Sequence, residues 1–350
     1  MGNIAVFRSF VSIAAALVIF LPGIAQAQTD EPPQAASTSR QSPYAFSVTP
    51  LAGFFWGQGE EQVYRNNYSD DLLSQLLWDI KPLWYLGAAL DFSQREPLKN
   101  WGGFATLSAK IGISAETGSM KDRDWLTSWS GPELTNYSWH HNNTESAIVL
   151  DLAAGISIPL RSLFALRLSL GLSYLHFAWA ARDGYYRYGV GPDINNHYAP
   201  ILDTTPKIPV SGAVISYSQD WLLLPFGLSF AIFPGSRFSG SLYFLAGPAL
   251  KFAGKDTHHQ KVNSGKYSEY VDSMSGGYTL EPGGEFLFSP NERLSLGLHL
   301  SWRSITAAPH GESYGAITGP SYPGNFVYFG NYAGGLFKAL DFGMSVKIGF

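Results

Sequence analysis

The 350-residue chain carries a formal charge of -4, pairs 15% aromatic with only 14% charged residues, and contains no cysteine. That balance gives no basic field for nucleic acid, and the missing thiols exclude disulfides, zinc–thiolate centres and cysteine nucleophiles. So many aromatics beside so few charges is unusual for a soluble globular protein, yet past the N-terminus no apolar run is long enough for a membrane helix.

The chain opens with Arg8, an apolar core from Val11 to Leu21, and Ala25-Gln26-Ala27. This pattern predicts an export leader over residues 1–27, removed to leave Gln28 first. Residues 28–43 are rich in Pro, Ser, Thr and Gln and read as a flexible arm.

From Tyr44 to Phe350 the chain repeats one theme, alternating strands joined by turns. Strands are expected near 44–64, 71–93, 103–124, 144–159, 165–188, 211–232, 238–256, 270–288, 293–306 and 332–350. The last shows the pattern most clearly: Leu340, Phe342, Met344, Val346, Ile348 and Phe350 alternate with Asp341, Gly343, Ser345, Lys347 and Gly349. Leu294, Leu296, Leu298, Leu300 and Trp302 repeat it against Ser295, Gly297, His299, Ser301 and Arg303. One wholly apolar face and one polar or small face suit a strand between lipid and a wet lumen. A soluble sandwich also alternates, but several uncharged apolar faces behind a leader favour a membrane barrel. The fold expected is all-β, a transmembrane antiparallel up-and-down barrel of about ten strands with long extracellular loops. Pro159-Leu160-Arg161-Ser162, Pro234-Gly235-Ser236 and Ser289-Pro290-Asn291-Glu292 read as tight turns. The stretches after Trp125, Tyr188, His258 and Ile305 are long, which assigns that end to the cell exterior.

Two constellations fall at the exterior end. Asp122 and Asp124 are i and i+2 on one strand, so their carboxylates share a face. Carboxylates held that close often share a proton or hold a polarised water, although a pair of solvated loop acids fits the same spacing. Asp256 and His258 are likewise i and i+2. An aspartate there can orient the imidazole as a base, whereas an exposed loop histidine is the plainer alternative. The adjacent pairs His140-His141 and His258-His259 raise a metal reading. Adjacent residues on a strand face opposite ways, however, so each pair offers one lumen ligand and no metal is expected.

Several ordered fragments bring a family into view. Glu61-Gln62-Val63-Tyr64, Ser74-Gln75-Leu76-Leu77-Trp78, Met120-Lys121-Asp122-Arg123-Asp124-Trp125, Ala181-Arg182-Asp183-Gly184-Tyr185-Tyr186-Arg187-Tyr188 and Asp256-Thr257-His258 occur in the order and strands of the omptins. From about Gly53 to Phe350 the chain resembles these ten-stranded outer-membrane endopeptidases of Gram-negative bacteria. The resemblance implies catalytic roles for Asp122, Asp124, Asp256 and His258. His258 would be the general base oriented by Asp256, Asp122 would help activate a water, and Asp124 would hold the network. Attack by water would need no covalent intermediate. Met120 would sit close above the acidic pair or simply pack.

The resemblance also implies an acidic substrate-binding pocket at Glu61 and a preference for basic residues near the cut. Gly254 stands where a second aspartate is usual, and Asn136 lies near another acidic position, so a weaker preference is expected. No cofactor is implied beyond lipopolysaccharide as an activator at the outer face. His176 and Asp220 or Trp221 stand there where arginines are expected, with Lys251 and Arg182 as substitutes. The partners implied are surface peptides or proteins and outer-membrane lipid, with the site facing outward from the outer membrane. The alternatives are an omptin-like binding or adhesion barrel with little proteolysis, a passive pore, and a lipid-modifying barrel enzyme. The last should show a Ser–His signature, and none is legible in the chain.

Overall fold

A computed structural model describes residues 44–65, 72–94, 98–126, 133–191, 198–233, 237–259, 267–307, 311–318 and 324–350. The leader, the arm and the Pro234-Gly235-Ser236 turn lie outside these. In chain order the strands are β1 (Tyr44–Tyr64), β2 (Leu72–Gln94), β3 (Gly102–Gly112), β4 (Ala115–Asp124), β5 (Asn136–Arg161), β6 (Phe164–Tyr188), β7 (Ile208–Pro209) and β8 (Ala213–Leu223). There follow β9 (Phe226–Ile232), β10 (Phe238–His258), β11 (Tyr267–Met274), β12 (Gly277–Asn291), β13 (Leu294–Ala307), β14 (Gly311–Thr318) and β15 (Val327–Gly349).

These form one antiparallel sheet in which sequence neighbours pair and β1 closes on β15, from Ser47 opposite Gly349 to Val63 opposite Ala333. The pieces β3 and β4, β8 and β9, β11 and β12, and β13 and β14 each make one interrupted stave, giving a ring of ten. The short β7 pairs with β6.

The predicted bounds hold in the membrane and shift above it. β5 begins at Asn136 rather than 144, β10 reaches His258, and β14 extends the ninth stave beyond 306. Above the lipid both faces are wet, so these extensions carry no apolar alternation to read. The strand expected over 211–232 breaks at Leu224-Pro225, because proline has no N–H for the ladder. Around the break Leu224 N donates to Pro248 O at 3.1 Å and Gly171 N donates to Pro225 O at 2.8 Å.

On β2 the side chains of Trp84, Leu86, Leu90 and Phe92 are exposed while Leu83 and Tyr85, of the opposite parity, are buried. The same outward belt runs through Leu296, Leu298, Leu300 and Trp302 on β13 and through Phe342, Met344, Val346 and Ile348 on β15. A continuous apolar belt of this kind on a closed barrel is a lipid-facing surface, and Trp56, Trp84 and Trp302 mark its upper edge. About ten residues per strand suffice to span lipid. β1, β2, β5 and β6 run for 21, 23, 26 and 25 residues, so much of each stands clear of the membrane.

The lumen is filled. Arg303 lies between Asp151 at 3.1 Å and Glu281 at 2.5 Å, and Asp341 takes Lys110 and the Tyr85 hydroxyl. Above these the rings of Trp78, Trp179 and Tyr217 stack with centroids 5.6–6.0 Å apart. Trp179 crosses the barrel so closely that a Cβ on Gly59 would fall 2.6 Å from its ring. A residual cavity of about 10 Å³ beside Phe55, Arg303 and Asp341 has room for one water. The described interior therefore lacks the open lumen that a passive pore needs.

Candidate active site

The aromatic layer forms the floor of a mouth whose walls carry the predicted acids. On β4 the chain bulges between Glu116 and Gly118, and Gly118 takes a φ of 115°. Asp79 fixes this bend by accepting Ser119 N at 3.1 Å and Ser119 Oγ at 2.9 Å. From there Met120, Asp122 and Asp124 turn inward. Asp122 is buried between Leu76 and Ser138, and Asp124, half-buried, is flanked by Ser74 and Asn136. Met120 is fully buried opposite Trp78 and His140, one pleat deeper than Asp122. It thus packs beneath the acidic pair, not above it, because β4 runs upward toward Asp124.

On the opposite wall β10 ends in Asp256 and His258, both buried, with His258 Nε2 2.5 Å from Asp256 Oδ2. The Tyr270 ring stands edge-on to the imidazole at 5.5 Å. Asp256 engages Nε2, so Nδ1 is the nitrogen left to face other chemistry.

Glu61 joins the two walls. It lies in one cross-strand row with Leu76 and Asp122 on one side and Gly335 on the other. Asp256 and Asp122 both lie within electrostatic reach of its carboxyl. Strand alternation separates it from Glu60, which accepts the Gln62 and Gln75 amides, each at 2.6 Å.

Asp272 joins this wall although no motif in the chain marks it. It sits on β11 opposite Gly254 and Ser313, is fully buried, and hydrogen-bonds Glu61. Gly254 does lack an acid, as the sequence says, but the neighbouring strand supplies one at the same level. A Cβ on Gly254 would stand only 3.2 Å from the Phe252 ring and the Tyr217 hydroxyl. Burial, reinforced by Asp256, pushes Glu61 well above the usual carboxylate range, and burial raises Asp272 to about 6. Glu61 therefore keeps its proton and donates it to the Asp272 carboxylate, so near neutrality the two acids carry one charge. Only the cross-strand register puts Asp272 beside Gly254; nothing in its neighbours Tyr270 and Met274 marks it.

Each adjacent histidine pair splits across the wall, as alternation requires. His140 is buried and donates Nδ1–H to the Asp183 carbonyl at 2.5 Å while Nε2 accepts from Ser138 Oγ at 2.8 Å. Burial pushes it below the usual imidazole range, so it is neutral. His141 faces out toward Glu116, and His259 faces out toward Ser216 Oγ at 2.8 Å. Asn136 pairs with Asp124 across the ladder.

A family-level comparison matches residues 42–319 to the Omptin family. The chain belongs to that family. Its fold matches the outer membrane protease OmpT from Escherichia coli with a TM-score of 0.74 at 16% identity, covering 90% of this chain and 99% of that one. The Pseudomonas putida toluene transporter TodX gives a TM-score of 0.30 at 12% identity, covering 86% and 89% of the two chains. A search of curated proteins by sequence gave no match. This omptin is thus an outer-membrane β-barrel of a Gram-negative bacterium.

Proposed function

We propose that this omptin is an aspartic-type endopeptidase that hydrolyses peptide bonds at the outward mouth of the barrel with an activated water. The observation that carries the reading is the convergence of Asp122 and the Asp256–His258 pair on Glu61, inside one walled mouth over an aromatic floor. His258 Nδ1 takes a proton from a water that attacks the scissile carbonyl, and Asp256 on Nε2 steadies the imidazolium. Asp122 positions the same water and Asp124 holds its surroundings. Asp256 Oδ1 is buried and takes no hydrogen bond from the described protein groups, which leaves an acceptor for water or a substrate N–H. The His258 imidazolium then protonates the leaving amine, with no covalent intermediate.

Glu61 and Asp272 together form the pocket for a substrate side chain. Their single net charge suits one basic residue beside the cut. The test uses refolded barrel and a mixed peptide library, with and without lipopolysaccharide as the expected activator. Cleavage should fall by about 10²–10⁴-fold in Asp122→Ala and in His258→Ala. Silence from a folded parent in both conditions would favour a binding barrel, and equal cleavage by the variants would trace the activity to a contaminant.

A further inference from the structure

A second set of polar residues lies on the opposite side of the barrel wall, facing lipid. His176 on β6 and Asp220 on β8 are direct cross-strand partners, and His176 Nδ1 lies 3.0 Å from Asp220 Oδ1. Ser146 on β5 stands diagonally across from His176, with Oγ 3.0 Å from His176 Nε2. The Tyr174 hydroxyl donates to the same Asp220 oxygen at 2.6 Å. Hydroxyl, imidazole and carboxylate are thus joined in series through the two ring nitrogens, the order that activates a serine nucleophile.

A bulge makes this arrangement. On β5 the residues Ser138, His140, Asn142 and Thr144 are buried in the mouth wall, but below the bulge it is Ala147 and Val149 that are buried. The register shifts between Thr144 and Ser146, and Glu145 has no cross-strand partner on either described neighbour. Without that extra residue Ser146 would point into the lumen, because one residue of slip exchanges the faces. Bulges that re-aim one side chain recur beside active sites.

Depth and burial suit a lipid substrate. On three adjacent strands the polar residues sit one pleat above Ile148, Tyr174 and Leu222 on the same outer face. Leu172, Tyr174 and Leu222 pack into a small apolar cluster with Leu150 and Leu224 directly beneath. The Asp220 side chain is 1% exposed and His176 15%, and Ser146 is partly exposed, so the acid is the sheltered end of the series. Lys251 stands on the same outer face, opposite Leu222 and one step below Asp220, and supplies a cation beside the set. A hydrogen-bonded polar set at this depth is costly to keep without use.

We propose that Ser146, His176 and Asp220 form a second, lipid-facing site that hydrolyses acyl esters of outer-leaflet lipid. Ser146 Oγ bonds to the ester carbonyl carbon while its proton passes to His176 Nε2. The bond from that carbon to the lipid alcohol breaks, and the alcohol oxygen takes the proton from His176. Water, deprotonated by the same nitrogen, then adds to the acyl carbon, the bond from that carbon to Oγ breaks, and His176 returns the proton to Oγ as the fatty acid leaves. The site shares no residue with the mouth, so it stands or falls independently of the proposed peptidase.

The experiment treats the refolded barrel with a fluorophosphonate probe and locates the label by mass spectrometry. Fatty-acid release is then measured from vesicles of phosphatidylethanolamine and, separately, of lipopolysaccharide. The expected result is a label on Ser146 and acid from at least one vesicle type, which names the source. Ser146→Ala and His176→Ala should lose both by about 10³-fold or more. Each variant is first checked for a folded barrel by its heat-modifiable migration and circular dichroism. A folded parent with neither label nor acid, label without acid, or Ser146→Ala releasing acid at the parental rate would each overturn the proposal.

Discussion

Glu61 and Asp272 differ in what they hold: Glu61 carries the proton and Asp272 the charge. Replacing each by its amide therefore has unequal effects. In Glu61→Gln an amide N–H can still donate to Asp272, so selectivity for arginine over norleucine peptides should stay within about threefold of the parent. Asp272→Asn removes the charge acceptor, and selectivity should fall about tenfold or more. Ratios of kcat/KM for the two peptides decide it, and a larger loss in Glu61→Gln would reverse the assignment. The parent's selectivity should also climb as pH rises through about 6, where Asp272 ionises. Stability moves the other way. An acid raised on folding binds its proton more tightly in the native state, so from about pH 4 to about pH 6 the barrel loses stability as pH rises. Denaturation midpoints across that window should show the fall, and Asp272→Asn should flatten it.

Single-residue irregularities in the strands aim the side chains of both proposed sites. Gly118 sits at a positive φ, and a Cβ there would come within 2.9 Å of the Asp79 Cβ. Gly118→Ala should strain the bend by about 1–2 kcal/mol and misdirect Asp122. The expected outcome is a clear drop in kcat for peptide cleavage with the barrel still folded by circular dichroism. Much of this level was legible in the chain. Alternation along Leu294–Trp302 and Leu340–Phe350 located the membrane spans, and i, i+2 spacing paired Asp122 with Asp124 and Asp256 with His258. Ser146 was not legible, because Asn142 to Glu145 carry no apolar residue to show where parity changes. Asp272 was hidden for a related reason, since its partner Gly254 is set by register between strands. The same register joins His176 to Asp220, which along the chain stand only as residues in place of arginines.

At the scale of the whole barrel, the filled lumen sets both stability and permeability. Arg303 is enclosed between Asp151 and Glu281, so Arg303→Ala leaves two acids unpaired and should cost about 3–5 kcal/mol. A denaturant titration of refolded barrel measures it, and parental stability would show that the acids find other partners. The aromatic layer across the upper lumen predicts no porin-like conductance steps in planar bilayers. The tall upper wall has a further effect. Glu61 lies five residues beyond Trp56 on β1, which at ~3.3 Å per residue and ~40° of tilt lifts it roughly 13 Å above the aromatic belt. A polypeptide tethered in the same leaflet must climb that distance before any bond in it meets the mouth. About four extended residues are used in the ascent, so bonds nearer than that to a neighbour's anchor are out of reach whatever their sequence. For the proposed endopeptidase, the height of the rim would act as a ruler that spares the membrane-proximal stalks of adjacent proteins and reaches only their distal segments.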